Sequence, residues 1–446
     1  MAVTQRPVSA SDVTEKYEAT TDMEHTNENT FIVPGFTIKE LLGAIPAECL
    51  ERSALHSSLY IVQDVILLAI FATFAAHIDT IVQAVGLPHY GSKALSFALW
   101  NVYWIAAGLA GTGIWILGHE CGHQAFSPSK TINNTVGWVL HSLVGVPYHS
   151  WRISHGRHHA ATGHLTRDEV FVPRTRTQLG LPAFDPTQET LDGSNIRKEK
   201  QLELREAIGD APIFVALNLL AQQLIGWPMY LIRNASGQKH YPKFTNHFSP
   251  NSVIFDKRHY RQIVVSDIGM ALFIGALTIW TKYRSFSEVV SYYLIPYLYV
   301  NHWLVAITFL QHTDPLVPHY DNDTWTFAKG ALTTIDRNCL SWVGPFMLHG
   351  ICETHVSHHV SSKIPHYHAW KATDALKKFL GPHYQYRDGN ILVDLYKNYR
   401  DCVFVEDNGA IRFYKNRSGV CKMVSKSSGN TSDSGVDVSE ESVKTK

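Results

Sequence analysis

The chain has 446 residues, and its 39 Lys and Arg residues balance its 39 Asp and Glu residues, so the formal net charge is zero. This balance argues against a nucleic-acid-binding protein, which usually carries a basic surplus, and against an acidic disordered chain. The six cysteines include no CxxC pair, which argues against a disulfide scaffold or a cysteine zinc site. The unusual count is that of histidine, with 25 residues.

The two ends of the chain differ from its middle in composition. Residues 1–30 are polar and contain no apolar stretch, so we expect no cleavable signal peptide. Residues 423–446 are rich in Ser, Gly, Asp and Glu and contain no aromatic residue. We predict that both segments are disordered.

Four apolar stretches are long enough to span a bilayer, which takes about 20 apolar residues. They are residues 59–85, 94–118, 263–280 and 289–311. Short segments join the first to the second and the third to the fourth, which predicts two helical hairpins. A buried core helix has a similar composition, but four such stretches in two tight hairpins favour a membrane protein. The mean hydropathy of −0.09 hides them because polar segments offset the apolar ones.

Eight histidines fall into three tight groups, whose sequences are HECGH, HGRHH and HVSHH. Residues three or four apart share a helix face, and neutral imidazole is a standard ligand for iron, copper, nickel or zinc. One group alone would equally fit a solvated patch, but three indicate a metal site. Eight ligands exceed the needs of one tetrahedral zinc and suit two metal ions with room for dioxygen. The candidate ligands are His119, His123, His155, His158, His159, His355, His358 and His359.

The topology must place all three groups on one side of the membrane. Residues 135–147 are apolar but too short to span, so they are expected at the interface. Three apolar windows then separate the second group from the third, and an even number of crossings requires that one of them does not cross. Residues 211–232 form a fifth window that is also long enough and uncharged, but it contains Asn218, Gln222, Gln223 and Pro228, and we assign it to an interfacial helix. Four spans remain, with both termini and all three groups on the same side.

Further polar residues lie close to the histidine groups. His312 ends the fourth window as His119 ends the second, which makes His312 a candidate ninth ligand, with an interfacial histidine as the alternative. His366 and His368 are expected to have a supporting or structural role. A metal-bound imidazole usually donates its second N–H to a carboxylate or carbonyl. The carboxylates available for this are Glu120, Asp168, Glu169, Asp314 and Glu353.

The HECGH group also matches the HExxH pattern of zinc metalloproteases, in which Glu120 would be the general base. That interpretation leaves the other two groups without a role. A metal-transporting or metal-sensing protein is a further alternative, but transport places polar ligands within the spans. A histidine-rich two-metal site at a membrane surface instead indicates dioxygen chemistry on a lipid, since an unactivated C–H bond needs a redox metal. We expect an apolar tunnel from the bilayer side to the metals.

The three groups, in this order and with spans before the first and between the second and third, resemble the membrane fatty acid desaturases. The segments HECGHQAFS, SHGRHHAATGHLTRDEVFVP, TFLQHTDP and ETHVSHHVSSKIPHYHA are similar to the Δ12 (oleoyl) desaturases of fungi and plants. The resemblance covers residues 31–422, which we expect to be the desaturase domain. One departure is Gln124, where plant members tend to carry another histidine.

The resemblance implies an all-α, multi-pass protein of the endoplasmic reticulum membrane, with four transmembrane helices under a cytosolic helical cap. It implies a non-haem di-iron centre held by the eight histidines, with His312 matching a further ligand. The implied reaction inserts a cis double bond at carbon 12 of an oleoyl lipid to give linoleoyl, with O2 as co-substrate. Cytochrome b5 and its reductase would supply electrons as separate proteins, because the chain has no HPGG-type haem motif. Relatives with the same groups include ω3 desaturases, hydroxylases, acetylenases and conjugases, so these products remain alternatives.

The C-terminal part carries two local signals. Thr373 is a candidate cap for a helix that Gly381 ends. Asn408 and Gly409 lie between the short apolar runs 403–405 and 410–414, a pattern that predicts a hairpin, with an irregular loop as the alternative.

Overall fold

The computed structural model describes residues 30–209 and 211–426, and these residues are mostly helical. The two segments predicted to be disordered lie outside them, apart from Thr30 and residues 423–426. Thr30–Ile32 and Val424–Lys426 pair as parallel strands, so the two ends of the described chain meet.

The α-helices of the described residues follow one another along the chain from the N-terminal side. They are α1 (Ile38–Ala44), α2 (Ala54–Ala76), α3 (Ile78–Val85), α4 (His89–Gly122), α5 (Lys130–Leu143), α6 (Tyr148–Ala161), α7 (Lys198–Ile208), α8 (Pro212–Arg233), α9 (Tyr260–Tyr283), α10 (Phe286–Val289), α11 (Ile295–His312), α12 (Phe327–Ala331), α13 (Val343–Met347), α14 (His355–Val360), α15 (His366–Leu380) and α16 (Ile391–Asp401). A π-helical turn, Val290–Leu294, joins α10 to α11 without a break.

Short strands form three two-stranded pairs within the described residues. They are β1 (Thr30–Ile32) with β6 (Val424–Lys426), β2 (His319–Tyr320) with β5 (Ile411–Arg412), and β3 (Asp336–Arg337) with β4 (Tyr386–Arg387). The β2–β5 pair is antiparallel and the other two are parallel. These strands tie the segments that follow α11 to one another and to the start of the chain.

Five helical segments in the described part of the chain are long and apolar enough to cross a membrane. They are Ala54–Ala76, His89–Gly122, Pro212–Arg233, Lys257–Tyr283 and Phe286–His312. Four of them contain the predicted spans or most of their length, and the fifth is α8, the window that we assign to the interface. Length and composition alone qualify α8 to cross.

The first predicted span, residues 59–85, is not one helix. Helix α2 ends at Ala76 and α3 begins at Ile78, with His77 between them. The Nδ1 atom of His77 lies 2.8 Å from the Thr73 carbonyl oxygen, so this side chain bonds to the end of α2. The apolar window therefore covers two helices, because an interruption of one residue leaves the hydropathy of the window unchanged.

Small residues bring α4 and α11 close together. A Cβ atom added to Gly111 would lie 2.9 Å from Val300 Cγ2, and one added to Gly108 would overlap Tyr299. The two helices end in His119–Gly122 and His312, so their close packing places both histidine-bearing ends side by side.

The C-terminal predictions had different outcomes. Helix α15 begins at His366, and the predicted cap Thr373 is wrong, because Thr373 lies buried inside the helix and donates to Ser357 Oγ at 2.9 Å. Gly381 ends the helix as predicted, with a φ of 51°. The hairpin predicted around Asn408-Gly409 is not formed as expected: Phe404 and Lys415 exchange backbone hydrogen bonds, but Ile411–Arg412 pairs with β2, so the segment between them is the alternative, an irregular loop.

Candidate metal centre

All nine candidate histidines converge in one buried region. The first cluster, called here the five-histidine group, has one nitrogen from each side chain within 4.8 Å of the others and consists of His119, His123, His155, His159 and His358. The second, the three-histidine group, meets the same limit and consists of His158, His312 and His359. His355 adjoins the second, with its Nε2 atom 3.0 Å from His312 Nε2 and 3.1 Å from His359 Nε2.

Helical spacing explains how two of the helices serve both groups. In α6, His155 and His159 are four residues apart and face the five-histidine group, whereas His158 faces the other. In α14, His358 faces the five-histidine group and His359 the three-histidine group. Because each helix contributes to both groups, the two groups must lie next to each other.

Two hydrogen bonds orient imidazoles of the three-histidine group. His158 Nδ1 donates to Asp168 Oδ1 at 2.6 Å, which turns His158 Nε2 towards His312 Nε2, 3.3 Å away. The Thr162 hydroxyl donates to the His158 carbonyl at 2.7 Å and therefore accepts from His359 Nδ1 at 3.2 Å. Both contacts place the imidazole proton on Nδ1 and leave the Nε2 lone pair for the centre of the group.

Among the carboxylates near the histidines, Asp168 is the one that bonds to an imidazole. Asp314 instead pairs with Arg337 and with Arg387, the latter at 3.1 Å. Glu353 accepts from the Cys339 backbone N–H at 3.0 Å, and Glu169 accepts from the Tyr241 hydroxyl at 3.0 Å.

Glu120 is buried beside the five-histidine group without bonding to it. Its Oε1 atom lies 3.9 Å from His119 Nδ1, beyond hydrogen-bond distance, and its Oε2 atom accepts from the His366 backbone N–H at 2.9 Å. The backbone of His366 thus holds Glu120, and a supporting role of Glu120 for His119 is not seen in the hydrogen bonding.

Six of the site histidines that lie outside the candidate spans are in the protonation state that metals require. Burial, together with neighbouring imidazoles, lowers the pKa of His123, His155, His159, His355 and His359 well below its usual value. Burial lowers the pKa of His358 to about 4. These imidazoles are therefore neutral at physiological pH, which is the form that binds a metal.

Buried nitrogens without a partner support the same conclusion. His123 Nε2 and His358 Nε2 are both shielded from solvent and bond to no atom of the described chain. An orphaned buried acceptor is costly unless it is satisfied, and a metal ion would satisfy both. An all-imidazole donor set suits iron, copper, nickel or zinc, so the residues fit two transition-metal ions.

A cavity of about 720 Å³ reaches the histidines. It touches members of both groups, and apolar residues of α4, α8 and α11 line much of the rest. The lining includes His119, His155, His158, His312, His355, Thr112, Trp115, Ile116, Gln222, Gly226, Trp227, Tyr230, Leu304, Val305, Ile307 and Thr308. A cavity of this size and lining is typical of a ligand site, and it matches the predicted apolar tunnel.

Several residues around the site were not predicted. Thr162 orients His359, the Trp151 ring stacks on His155 with centroids 4.5 Å apart, and the Trp115 ring stacks on His119 at 5.5 Å. Thr162 lies four residues after His158, and each tryptophan lies four residues before its histidine. The helical spacing that identified the ligands would also have identified these neighbours.

Comparisons with known proteins agree with this arrangement. The family model described as fatty acid desaturase matches residues 96–389. The chain is 45% identical over 413 residues to the Delta(12) fatty acid desaturase of Mortierella alpina, covering 93% of this chain and 97% of that protein. It is 45% identical over 397 residues to the Delta(12) fatty acid desaturase of Mortierella isabellina, covering 89% and 95%. It is also 40% identical over 437 residues to an oleate hydroxylase of Claviceps purpurea, covering 92% and 87%.

Proposed function

This chain belongs to the fatty acid desaturase family, and on that premise we propose that it is an oxidoreductase that converts an oleoyl chain into linoleoyl by inserting a cis double bond at the Δ12 position. The observation that carries the proposal is the convergence of nine histidines, seven of them buried and two half-buried, beside an apolar cavity. The names of the two Mortierella relatives support the position of the double bond.

The nine histidines would hold two iron ions, with His355 next to the three-histidine group. Together with O2 and two electrons, the bound iron would supply the oxidant that removes two hydrogen atoms from the chain. The balance is oleoyl, O2, two electrons and two protons in, and linoleoyl and two waters out. Cytochrome b5 and its reductase are the proposed source of the electrons.

The residues of this chain have separate tasks in that reaction. Asp168 and Thr162 hold His158 and His359 in the ligating tautomer. Trp115, Trp227 and Leu304 line the cavity beside the histidines, exclude water and keep the acyl chain in place.

We further propose four transmembrane helices in the endoplasmic reticulum membrane, with the histidines and both termini cytosolic and with α8 at the interface. All nine histidines lie in one cluster, so they lie on one side of any membrane. Single cysteines introduced into the loop between α3 and α4 and into the loop before α9 test this topology. In a background in which the two native cysteines that are not buried, Cys402 and Cys421, are replaced by serine, a membrane-impermeant thiol reagent should label only the second in sealed microsomes with cytosolic face outward, and labelling of both would contradict it.

Product analysis tests the proposed reaction. Expression in a cell that makes only monounsaturated fatty acids, followed by gas chromatography–mass spectrometry, should show linoleate. The absence of any diene from an expressed, iron-loaded protein would refute the proposal. A His155→Ala variant is the inactive control, because it lacks one of the histidines that would hold the metal.

A second candidate reaction is hydroxylation of the same oleoyl chain. The Claviceps purpurea relative, 40% identical over 92% of this chain, is named an oleate hydroxylase. Hydroxylation inserts one oxygen atom where desaturation removes a second hydrogen. The same chromatogram decides between them, since a hydroxy fatty acid without diene would select the hydroxylase.

A further inference from the structure

Away from its apolar end, the cavity is lined by three cationic side chains. They are Arg174, Lys239 and Arg417, and no Asp or Glu is among the described residues that line the cavity. Burial raises the pKa of Tyr399, another lining residue, and the charges of Arg417 and Arg174 both oppose that rise. The two arginines therefore lie close to the same hydroxyl.

The positive charges of Arg174 and Lys239 are not neutralised by the described part of the chain. Arg174 forms no side-chain hydrogen bond or ion pair there, and Lys239 Nζ donates to the Ala235 carbonyl at 2.7 Å. Burial, with the charge of Arg174, lowers the pKa of Lys239 to about 8. Arg174 is exposed and Lys239 is half-buried, so the repulsion between them acts mainly on Lys239, and an anion bound by both side chains would relieve it.

The cavity therefore has two chemically different ends. Thr112 lies seven residues before His119 on α4, about 10 Å deeper along the helix, and the lining there is largely apolar. Arg174, Lys239 and Arg417 belong to segments outside the five candidate spans. A chain placed with its methyl end near Thr112 would pass the histidines and present its carboxyl end to these cations.

We propose that Arg174, Lys239 and Arg417 form a binding site for a phosphate group on the carrier of the acyl chain. The inference rests on the proposed function, because it takes the cavity to hold an acyl chain. Guanidinium and ammonium groups are the side chains that bind phosphate. A phospholipid headgroup and coenzyme A both carry phosphate, so either carrier satisfies the chemistry.

Binding without turnover gives the first test. Trp115, Trp151 and Trp227 line the cavity, so dibrominated stearoyl chains should quench their fluorescence in the purified, iron-loaded full chain. The brominated acyl chain is presented on three carriers, namely phosphatidylcholine, coenzyme A (as the thioester) and phosphate-free diacylglycerol, all at the same detergent concentration. Arg174→Gln and Lys239→Gln should raise the half-saturating concentration of a phosphate-bearing carrier by about tenfold or more and leave that of diacylglycerol unchanged.

Lys243→Gln is the matched control, because Lys243 is an exposed lysine four residues from Lys239 that does not line the cavity. It should bind all three carriers as the wild type does. A loss confined to phosphatidylcholine identifies the lipid headgroup, and a loss confined to the thioester identifies coenzyme A; both results support the site.

An equal loss for all three carriers, or no loss for any, overturns the proposal. The proposal is also overturned if the variants bind every carrier as the wild type does but need a higher concentration of the electron-donor protein for turnover. That result would assign the cations to docking of the donor. Turnover is measured in parallel as linoleoyl formed from each oleoyl carrier. If the wild type forms no diene from any carrier, the proposed function fails, while the quenching series still decides whether the phosphate site exists.

Discussion

The five-histidine group and the three-histidine group consist of the same side chain but are assembled differently. The five-histidine group contains two pairs spaced four residues apart, His119 with His123 and His155 with His159. In the three-histidine group, His158, His312 and His359 come from three different helices, and two of them are oriented by Asp168 and Thr162. Local helix geometry thus shapes the first group, whereas tertiary contacts shape the second.

Removing one ligand from each group should have the largest effect. We expect His123→Ala and His312→Ala each to abolish desaturation, since the proposed reaction uses two metal ions. Each variant should lose the metal of its own group and keep the other, because the ligand sets are separate. Elemental analysis of the purified variants measures this, and loss of both metals from either variant would show that the groups do not bind independently.

The Asp168→Asn substitution should have the next largest effect. It keeps the size of the side chain but removes the charge that holds His158, and we expect metal affinity at the three-histidine group to fall roughly 10- to 100-fold. Competition with a chelator measures the affinity. Glu120→Gln is the control. Because Glu120 bonds to no imidazole, the metal affinity of this variant should fall less than that of Asp168→Asn. An equal fall would show that the hydrogen bond from His158 to Asp168 has no special role.

Thr162→Val should have a smaller effect on the same group. The change removes the hydroxyl that accepts from His359, a contact worth about 1 kcal/mol, so we expect metal affinity to fall by a few-fold. Thr162→Ser keeps the hydroxyl and should behave as wild type in the same chelator competition. If both variants lose affinity equally, packing of the methyl group and not the hydrogen bond orients His359.

The smallest change is expected for Gln124→His, beside the five-histidine group. Gln124 Nε2 donates to the Cys121 carbonyl at 3.1 Å, so this side chain turns back onto the end of α4. A tenth histidine there should leave metal content and turnover within about twofold of wild type, as expected for a position outside the ligand set. A gain of bound metal would show that the five-histidine group has an open position at Gln124.

Sequence spacing predicted the convergence of the nine histidines, because His119 and His312 end apolar windows and the other groups repeat at helical intervals. It could not choose among the carboxylates, since Asp314 is close in sequence to His312 but is bound by arginines that lie 23 and 73 residues further along the chain. The break at His77 was missed because hydropathy is the same on both sides of it.

The role of α8 was predicted only in part. Its amides and proline distinguished it from the other apolar windows, and its contribution to the cavity wall depends on packing beside α11. Gly226 of α8 lies close to Val305 of α11: a Cβ atom added to Gly226 would be 3.6 Å from Val305 Cγ2. A single window of sequence contains no information about such a neighbour.

The pairing of β1 with β6 makes the described chain a closed ring, since Thr30 aligns with Val424 and Ile32 with Lys426. A closed ring that crosses a bilayer in one direction must cross it again in the other, so the number of crossings is even. Five long apolar helices are an odd number, so this pairing supports the proposal that one of them does not cross and that four spans remain. Severing the strand pair would remove this constraint while leaving every helix and every histidine in the sequence unchanged.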